Sequence, residues 1–167
     1  MGKKDTITIG FMKKEDVDQV LAIEQASFSM PWSRNLFLSE FRSKGVSTLL
    51  VALDGEPSAR NVVGYLVFWS VADEMHILNL AIIPDKRQLG IAKRLVLAGI
   101  RQAYQKGAKR AFLEVRASNN AAQKLYASLG FTGTSVRREY YDAPIEDAVV
   151  MTLEQGALQV LTKNDPL

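Results

Sequence analysis

Apolar positions along the chain fall into two patterns, short alternations of period two and stripes at helical spacing, and these succeed one another throughout. Ile7, Ile9 and Phe11 alternate, which predicts a short first strand. Glu15 and Asp16 then open a helical stripe with Val17, Val20 and Leu21 on one face. The stripe breaks at Met30-Pro31-Trp32. Ser33 is placed to cap a second helix carrying Phe37 and Phe41, and Gly45 to end it. Residues 46–53, the β-branched and aromatic run 62–69, and residues 74–83 each predict a strand, with Asp54-Gly55 and Pro57 marking a turn. These strands read as an antiparallel meander.

The pattern then changes. Residues 84–89 are a polar loop, and residues 90–106 carry Ile91, Leu95, Ala98 and Gln102 at the spacing of one helical face, with Gly107 as a stop. Residues 111–115 predict a short strand. Asn119 or Asn120 can cap a further helix with Ala122, Leu125, Tyr126 and Leu129, ended by Gly130. Residues 131–140 and 148–153 close the domain as two strands around an Asp142-Ala143-Pro144 turn. Residues 155–167 read as a polar, frayed tail, leaving one domain over residues 1–154. The order β-α-α-β-β-β-α-β-α-β-β predicts an α/β (α+β) fold with a mixed sheet and helices on both faces.

Composition narrows the chemistry. The chain of 167 residues is 47% apolar, within the globular range, and its net charge of +3 is too small to argue for nucleic acid. It has no cysteine, which excludes disulfides, thiolate metal sites and an acyl-thiol enzyme intermediate. A single histidine, His76, makes a histidine-rich metal site an unattractive reading, and no metal is expected. No apolar stretch approaches the roughly 20 residues needed to span a bilayer. The polar start Met1-Gly2-Lys3-Lys4-Asp5-Thr6 lacks a signal-peptide core, so the expected compartment is the cytoplasm.

The most informative segment is Arg87-Gln88-Leu89-Gly90-Ile91-Ala92, which follows a strand and opens a helix. Small residues at Gly90 and Ala92 allow a ligand close to the backbone. Exposed amides and the helix dipole then favour an anion such as a pyrophosphate, with Arg87, Lys93 and Arg94 adding positive charge. Taken alone, the segment reads equally well as a plain strand-to-helix turn. It has no Lys-Ser/Thr after the glycine, so a P-loop reading fails.

Arg-x-x-Gly-x-Ala in this setting resembles the acetyl-CoA motif of the GNAT superfamily of N-acetyltransferases, whose pattern is Gln/Arg-x-x-Gly-x-Gly/Ala. Leu113-Glu114-Val115-Arg116-Ala117-Ser118-Asn119 and Leu125-Tyr126-Ala127-Ser128-Leu129-Gly130-Phe131 resemble the next two blocks of that superfamily. Within it, Phe28-Ser29-Met30-Pro31-Trp32-Ser33, Asn79-Leu80-Ala81-Ile82, Arg137-Arg138-Glu139-Tyr140-Tyr141 and Glu146-Asp147-Ala148 are similar to the RimI branch of ribosomal-protein alanine N-acetyltransferases. The likeness runs from about Ile7 to Leu153.

This resemblance implies a GNAT fold with about seven strands, mostly antiparallel and splayed between strands 4 and 5, and acetyl-CoA as cosubstrate in the gap. It implies that the backbone of Leu80, Ala81 and Ile82 meets the pantetheine and thioester. Arg87, Gln88, Leu89, Gly90, Ile91, Ala92 and Lys93 would hold the pyrophosphate, and Asn119 would contact the pantetheine arm. Leu89 stands where relatives often carry a polar residue, so only its backbone would contribute. Ala92 replaces the second glycine of the pattern.

Aminolysis of a thioester needs a neutral amine and a protonated leaving thiolate. An α-amine has a pKa of roughly 7.7–8.0 against about 10.4 for lysine, so an N-terminus loses its proton at lower cost. Glu114, by spacing alone a strand-edge glutamate facing water, becomes the general base through the resemblance. Tyr126, by spacing alone a core tyrosine, becomes the acid that protonates the departing sulfur. His76 is read as a partly buried strand histidine and as a candidate auxiliary base. The resemblance makes Tyr140 and Tyr141 one wall of a peptide groove and Phe28, Pro31 and Trp32 the other. The implied activity is direct transfer, in a ternary complex, to a protein N-terminus, the N-terminal alanine of a small-subunit ribosomal protein. No direct nucleic-acid or membrane partner is implied. The alternatives are a lysine or small-amine acetyltransferase and a catalytically silent acetyl-CoA-binding module.

Overall fold

A computed structural model describes residues 6–163, so Met1 to Asp5 and the last four residues of the expected tail lie outside the described residues. The chain divides into two compact units. One runs to Val67 and resumes over Asn79–Ala98; the other comprises Phe68–Leu78 and the chain from Gly99 onward.

In the first unit β1 (Ile7–Phe11) pairs antiparallel with β2 (Ser47–Asp54), from Ile7↔Asp54 to Phe11↔Leu50. Leu49 to Leu53 are buried in succession, as a strand covered on both faces requires. A short 3-10 turn, Lys14–Asp16, leads into α1 (Val17–Ser27), and α2 (Arg34–Arg42) follows with Ser33 Oγ accepting from the Leu36 N–H at 3.2 Å, the expected cap. The unit also holds the start of β3 (Val62–Val71), the C-terminal half of β4 (Glu74–Ile82) and the first turns of α3 (Ile91–Gln105).

A buried ion pair braces this unit. Arg60, in the left-handed region at φ +48°, directs Nε and Nη2 onto the two oxygens of the fully buried Asp16 at 2.7 and 2.5 Å. Burial pushes the Asp16 carboxyl up, but the hydrogen bonds from Arg60 and the Lys13 N–H, with the charge of Arg60, outweigh it and hold the group below the usual carboxylate range.

In the second unit β5 (Arg110–Arg116) pairs antiparallel with β7 (Glu146–Leu153), and β7 in turn pairs antiparallel with β6 (Thr132–Tyr141). The start of β4 pairs parallel with β5, from Glu74↔Arg110 to His76↔Phe112. The helix α4 (Asn120–Ser128) ends at Gly130, whose φ of +97° is the left-handed stop expected of it. The strand order is β1-β2-β3-β4-β5-β7-β6 in a seven-stranded, mostly antiparallel sheet, as the sequence implied.

One feature goes beyond the sequence reading and another differs from it. The later strand of the closing pair, β7, neighbours β5, and β6 takes the edge, a choice that tertiary pairing makes and that alternation along one strand does not encode. Residues 155–163, expected as frayed polar tail, form α5 (Gln155–Lys163) with Leu158 fully buried. Leu158 and Leu161 stand one turn apart, and the stripe is short enough to pass for a polar tail. Among the described residues no helix is long and apolar enough to cross a membrane.

Candidate active site

In the first unit the end of β4 leads straight to the glycine turn. Along β4 the alternation buries Met75, Ile77, Asn79 and Ala81 in turn. At Ala81 and Ile82 the neighbouring strand comes close through Gly64, where a Cβ would lie 2.4 Å from Ile82 Cδ1 and 3.1 Å from the Ala81 carbonyl. The ladder is prolonged by Ile83 N–H donating to the Val63 carbonyl at 2.8 Å.

After a 3-10 turn at Pro84–Lys86 the chain reaches Gln88 at φ +62° and Gly90 at φ +78°. Both are left-handed, and at Gly90 a Cβ would meet no atom within 4 Å. The glycine therefore answers a conformational demand, and the space beside it is open. The first helical bond of α3 runs from Arg94 N–H to the Gly90 carbonyl, which leaves the amides of Ile91, Ala92 and Lys93 leading the helix. Arg87 to Gly90 and Lys93 are exposed, and Leu89 keeps 65% of its surface in solvent.

The arginines of this segment are partly engaged. Arg87 donates from Nε to the Ile82 carbonyl and from Nη2 to Ser27 Oγ, both at 3.0 Å, and so ties the turn to α1. Arg94 donates to the Ile7 carbonyl at 2.6 Å and tethers α3 to β1.

The loop between α1 and α2 is held from below. Glu24, buried on α1, accepts from the Trp32 backbone N–H at 2.8 Å, from Asn79 Nδ2 at 2.9 Å and from the Tyr65 hydroxyl. The Trp32 ring lies 5.2 Å from Phe37, which meets Tyr65 edge-on at 5.7 Å. Phe28, Met30 and Pro31 are exposed beside it. Burial and the Glu24 carboxylate drive the Tyr65 phenol far above its ordinary pKa. Glu24 was not singled out from the sequence. Its signal is positional: it stands seven residues after Val17 and four after Val20, on the buried stripe of α1.

In the second unit Phe112, Glu114 and Arg116 share one half-exposed phase of β5 while Ala111, Leu113 and Val115 are buried. Glu114 is ion-paired with Arg137 of β6, Oε1 to Nη2 at 3.5 Å. Tyr126 on α4 is buried, edge-on to Phe131 at 5.5 Å. Burial, then repulsion from an ionised Tyr141, raises its phenol well above an ordinary tyrosine. Tyr141 is itself pushed up to about 12, first by burial and then by Tyr140 and the Glu114 carboxylate, against the opposing charge of Arg116. Tyr141 thus links the group, raised by Tyr140 and Glu114 and raising Tyr126 in turn.

Local devices set these groups. β6 carries register shifts between Gly133 and Ser135 and between Arg137 and Tyr141, with Glu139 at φ +50° donating its N–H to Asp147 Oδ1 at 2.9 Å. The bulge breaks strict alternation, and Tyr140 and Tyr141 meet edge-on at 5.1 Å. Arg116 stacks over the Tyr141 ring at 4.3 Å and donates to the Pro144 carbonyl at 2.9 Å. Glu146 accepts from the Ser118 N–H at 2.5 Å; the Ser118 bonds and the Arg116 charge hold its carboxyl below the usual range. Asn119 is the cap of α4, its Oδ1 accepting from the Ala122 N–H at 3.1 Å, so Asn119 rather than Asn120 takes that place. The Arg116–Glu146 brace and Arg137 were not assigned roles from the sequence; Arg116 and Arg137 both face Ala148 of β7, a register that strand pairing sets and the sequence alone does not display.

His76, on β4, contacts Glu74 and Phe112. Its ring is 2.9 Å from Glu74 Oε2 and stacks on Phe112 at 5.4 Å.

Comparison with known proteins adds four findings. Residues 17–131 match the acetyltransferase (GNAT) family. Over 141 residues the chain is 35% identical to the putative ribosomal protein bS18-alanine N-acetyltransferase of Bacillus subtilis, covering 84% of this chain and 90% of that protein. The crystal structure of the ribosomal-protein-S18-alanine N-acetyltransferase from Escherichia coli superposes with a TM-score of 0.79 at 30% identity, over 89% of this chain and 94% of that one. Arabidopsis thaliana NAA60, solved in complex with acetyl-CoA, shares the fold at a TM-score of 0.80 and 17% identity, covering 89% of this chain and 99% of that one.

Proposed function

Since the chain belongs to the acetyltransferase (GNAT) family, we propose that it acetylates the α-amine of a protein N-terminus from acetyl-CoA, with the N-terminal alanine of ribosomal protein bS18 as acceptor. The observation that carries the chemistry is Tyr126, a buried phenol on α4 that stays protonated at neutral pH and so has a proton to give. The acceptor rests on the similarity over most of the chain to bS18-alanine N-acetyltransferases.

The glycine turn suits a diphosphate. The space beside Gly90 is open, and the leading amides of α3 present partial positive charge. Arg87 to Lys93 hold that group, chiefly through backbone. The backbone of Leu80, Ala81 and Ile82 binds the pantetheine, and amides near Ala81 and Ile82 polarise the carbonyl. The Asn119 carboxamide, its oxygen used in the cap, retains its NH2 for the pantetheine arm. When bound, acetyl-CoA supplies an activated acetyl group and a thiolate leaving group.

Glu114 takes the proton released by the attacking amine, directly or through water. Tyr126 Oη gives a proton to the departing sulfur. Tyr140 and Tyr141, with Phe28, Pro31 and Trp32, bind the first residues of the peptide. The test is turnover over a panel of peptides that differ in their first two residues. An alanine-first peptide is expected to be preferred. Equal turnover of an N-blocked, lysine-containing twin would reject the α-amine as acceptor.

A further inference from the structure

Glu24 is a buried acid that the proposed chemistry does not use, with 1% of its surface exposed. Its donors among the described residues are all neutral: the Trp32 backbone N–H, the Tyr65 hydroxyl and the Asn79 carboxamide. A buried carboxylate is a poor choice for stability alone, since a well-packed apolar residue at such a place is commonly neutral or stabilising. What a carboxylate adds is direction, because its two oxygens fix the positions of several donors at once.

Those donors come from unlike parts of the chain. Tyr65 and Asn79 belong to β3 and β4, where ladder bonds hold the backbone whatever Glu24 does. Trp32 belongs to the segment between α1 and α2, residues 28–33, which has no regular structure. Its N–H donates to Glu24 alone, and one residue later Ser33 caps α2. Glu24 therefore links this segment to residues of β3 and β4. Asn79 immediately precedes Leu80, the first of the strand residues assigned to the pantetheine.

We infer that Glu24 is a positioning residue for acceptor binding: it holds the Pro31-Trp32 segment against Tyr65 and Asn79 and so sets the wall that receives the first residues of the peptide. This rests on the proposed function for the identity of the acceptor. Loss of the carboxylate frees the segment and leaves the cofactor strand in place, so the effect falls on the peptide and spares acetyl-CoA.

The test uses the full chain with Glu24→Gln, which keeps the shape and removes one acceptor, and Tyr65→Phe, which removes one donor. With an alanine-first peptide, Glu24→Gln is expected to raise the peptide KM about tenfold, the loss of one charge-assisted hydrogen bond, while kcat and the acetyl-CoA KM stay within about twofold. Tyr65→Phe should move the peptide KM in the same direction by less. A second readout does not need activity. Trp32 and Trp69 are the only tryptophans, so a Trp69→Phe background makes Trp32 the sole reporter. Adding Glu24→Gln there is expected to raise acrylamide quenching of Trp32. A lowered Tm with unchanged peptide KM and unchanged quenching would reduce Glu24 to a structural role and overturn the inference. Wild-type protein that turns over no peptide would instead overturn the proposed function, and the quenching result would still decide whether Glu24 holds the segment.

Discussion

Around Gly90 the groups offered to a ligand are backbone amides, and the side chains are small, outward-facing or tied up elsewhere; around Glu114 they are side chains. At the turn, Arg87 is bonded to Ile82 and Ser27, and Leu89 lies in solvent. What remains is a left-handed glycine and the leading end of α3. On β5, β6 and α4, by contrast, Tyr140 and the Glu114 carboxylate help to raise the Tyr141 pKa and Tyr141 helps to raise that of Tyr126, with Arg116 stacked on Tyr141 and Arg137 paired with Glu114. A backbone site tolerates changes in side chain and fails on changes in φ. A side-chain site fails on the loss of single atoms.

The sharpest way to break that contrast is Tyr126→Phe. Removal of one hydroxyl is expected to lower kcat by about 10²–10⁴-fold, the usual worth of a general acid, with the Kd for acetyl-CoA unchanged by calorimetry. Loss of cofactor affinity instead would make Tyr126 part of the binding site. Glu114→Gln is expected to cost about a hundredfold in kcat and to leave the rate tracking only the neutral fraction of the peptide amine, seen as a simplified pH profile. A profile identical to wild type would remove Glu114 from the proton path.

At the backbone site, Gly90→Val places a β-branched residue at φ +78°. The strain of roughly 1–2 kcal/mol should appear as about a tenfold weaker Kd for coenzyme A with kcat at saturation little changed. Leu89→Ala in the same turn is expected to stay within about twofold of wild type, because only its backbone is assigned to the ligand and its side chain lies in solvent. A large effect of Leu89→Ala would blur the distinction between the two regions.

The smallest expected effect is on alkaline stability. The Tyr141 pKa is raised in the folded chain to about 12, so its contribution is complete below the ordinary tyrosine value of about 10 and is lost as pH rises from there through about 12. Tm measured across that window should fall less steeply for Tyr141→Phe than for wild type.

The same contrast explains what could be read without coordinates. The turn was legible because a backbone site leaves a spacing of small residues, Gly90 and Ala92, between a strand and a helix. The helix caps Ser33 and the stops Gly107 and Gly130 were legible for the same reason, since special φ values and orphan amides demand particular residue types. Glu114 and Tyr126 were not legible from spacing: a glutamate on a strand and a tyrosine on a helical stripe look ordinary, and only their resemblance to motif blocks singled them out. Glu24 escaped because a charged residue on a helix is normally solvated, although its phase with Val17 and Val20 placed it inside. The position of β7 beside β5 and the packing of Leu158 escaped because both depend on partners distant in the chain.

The most direct test of the acetyltransferase reading is where the acetyl group goes. Incubation of the protein with acetyl-CoA and a peptide bearing the N-terminus of ribosomal protein bS18, followed by fragmentation mass spectrometry, is expected to place one acetyl group on the alanine α-amine. An unmodified peptide, or an acetyl group on a lysine side chain with the α-amine free, would contradict it.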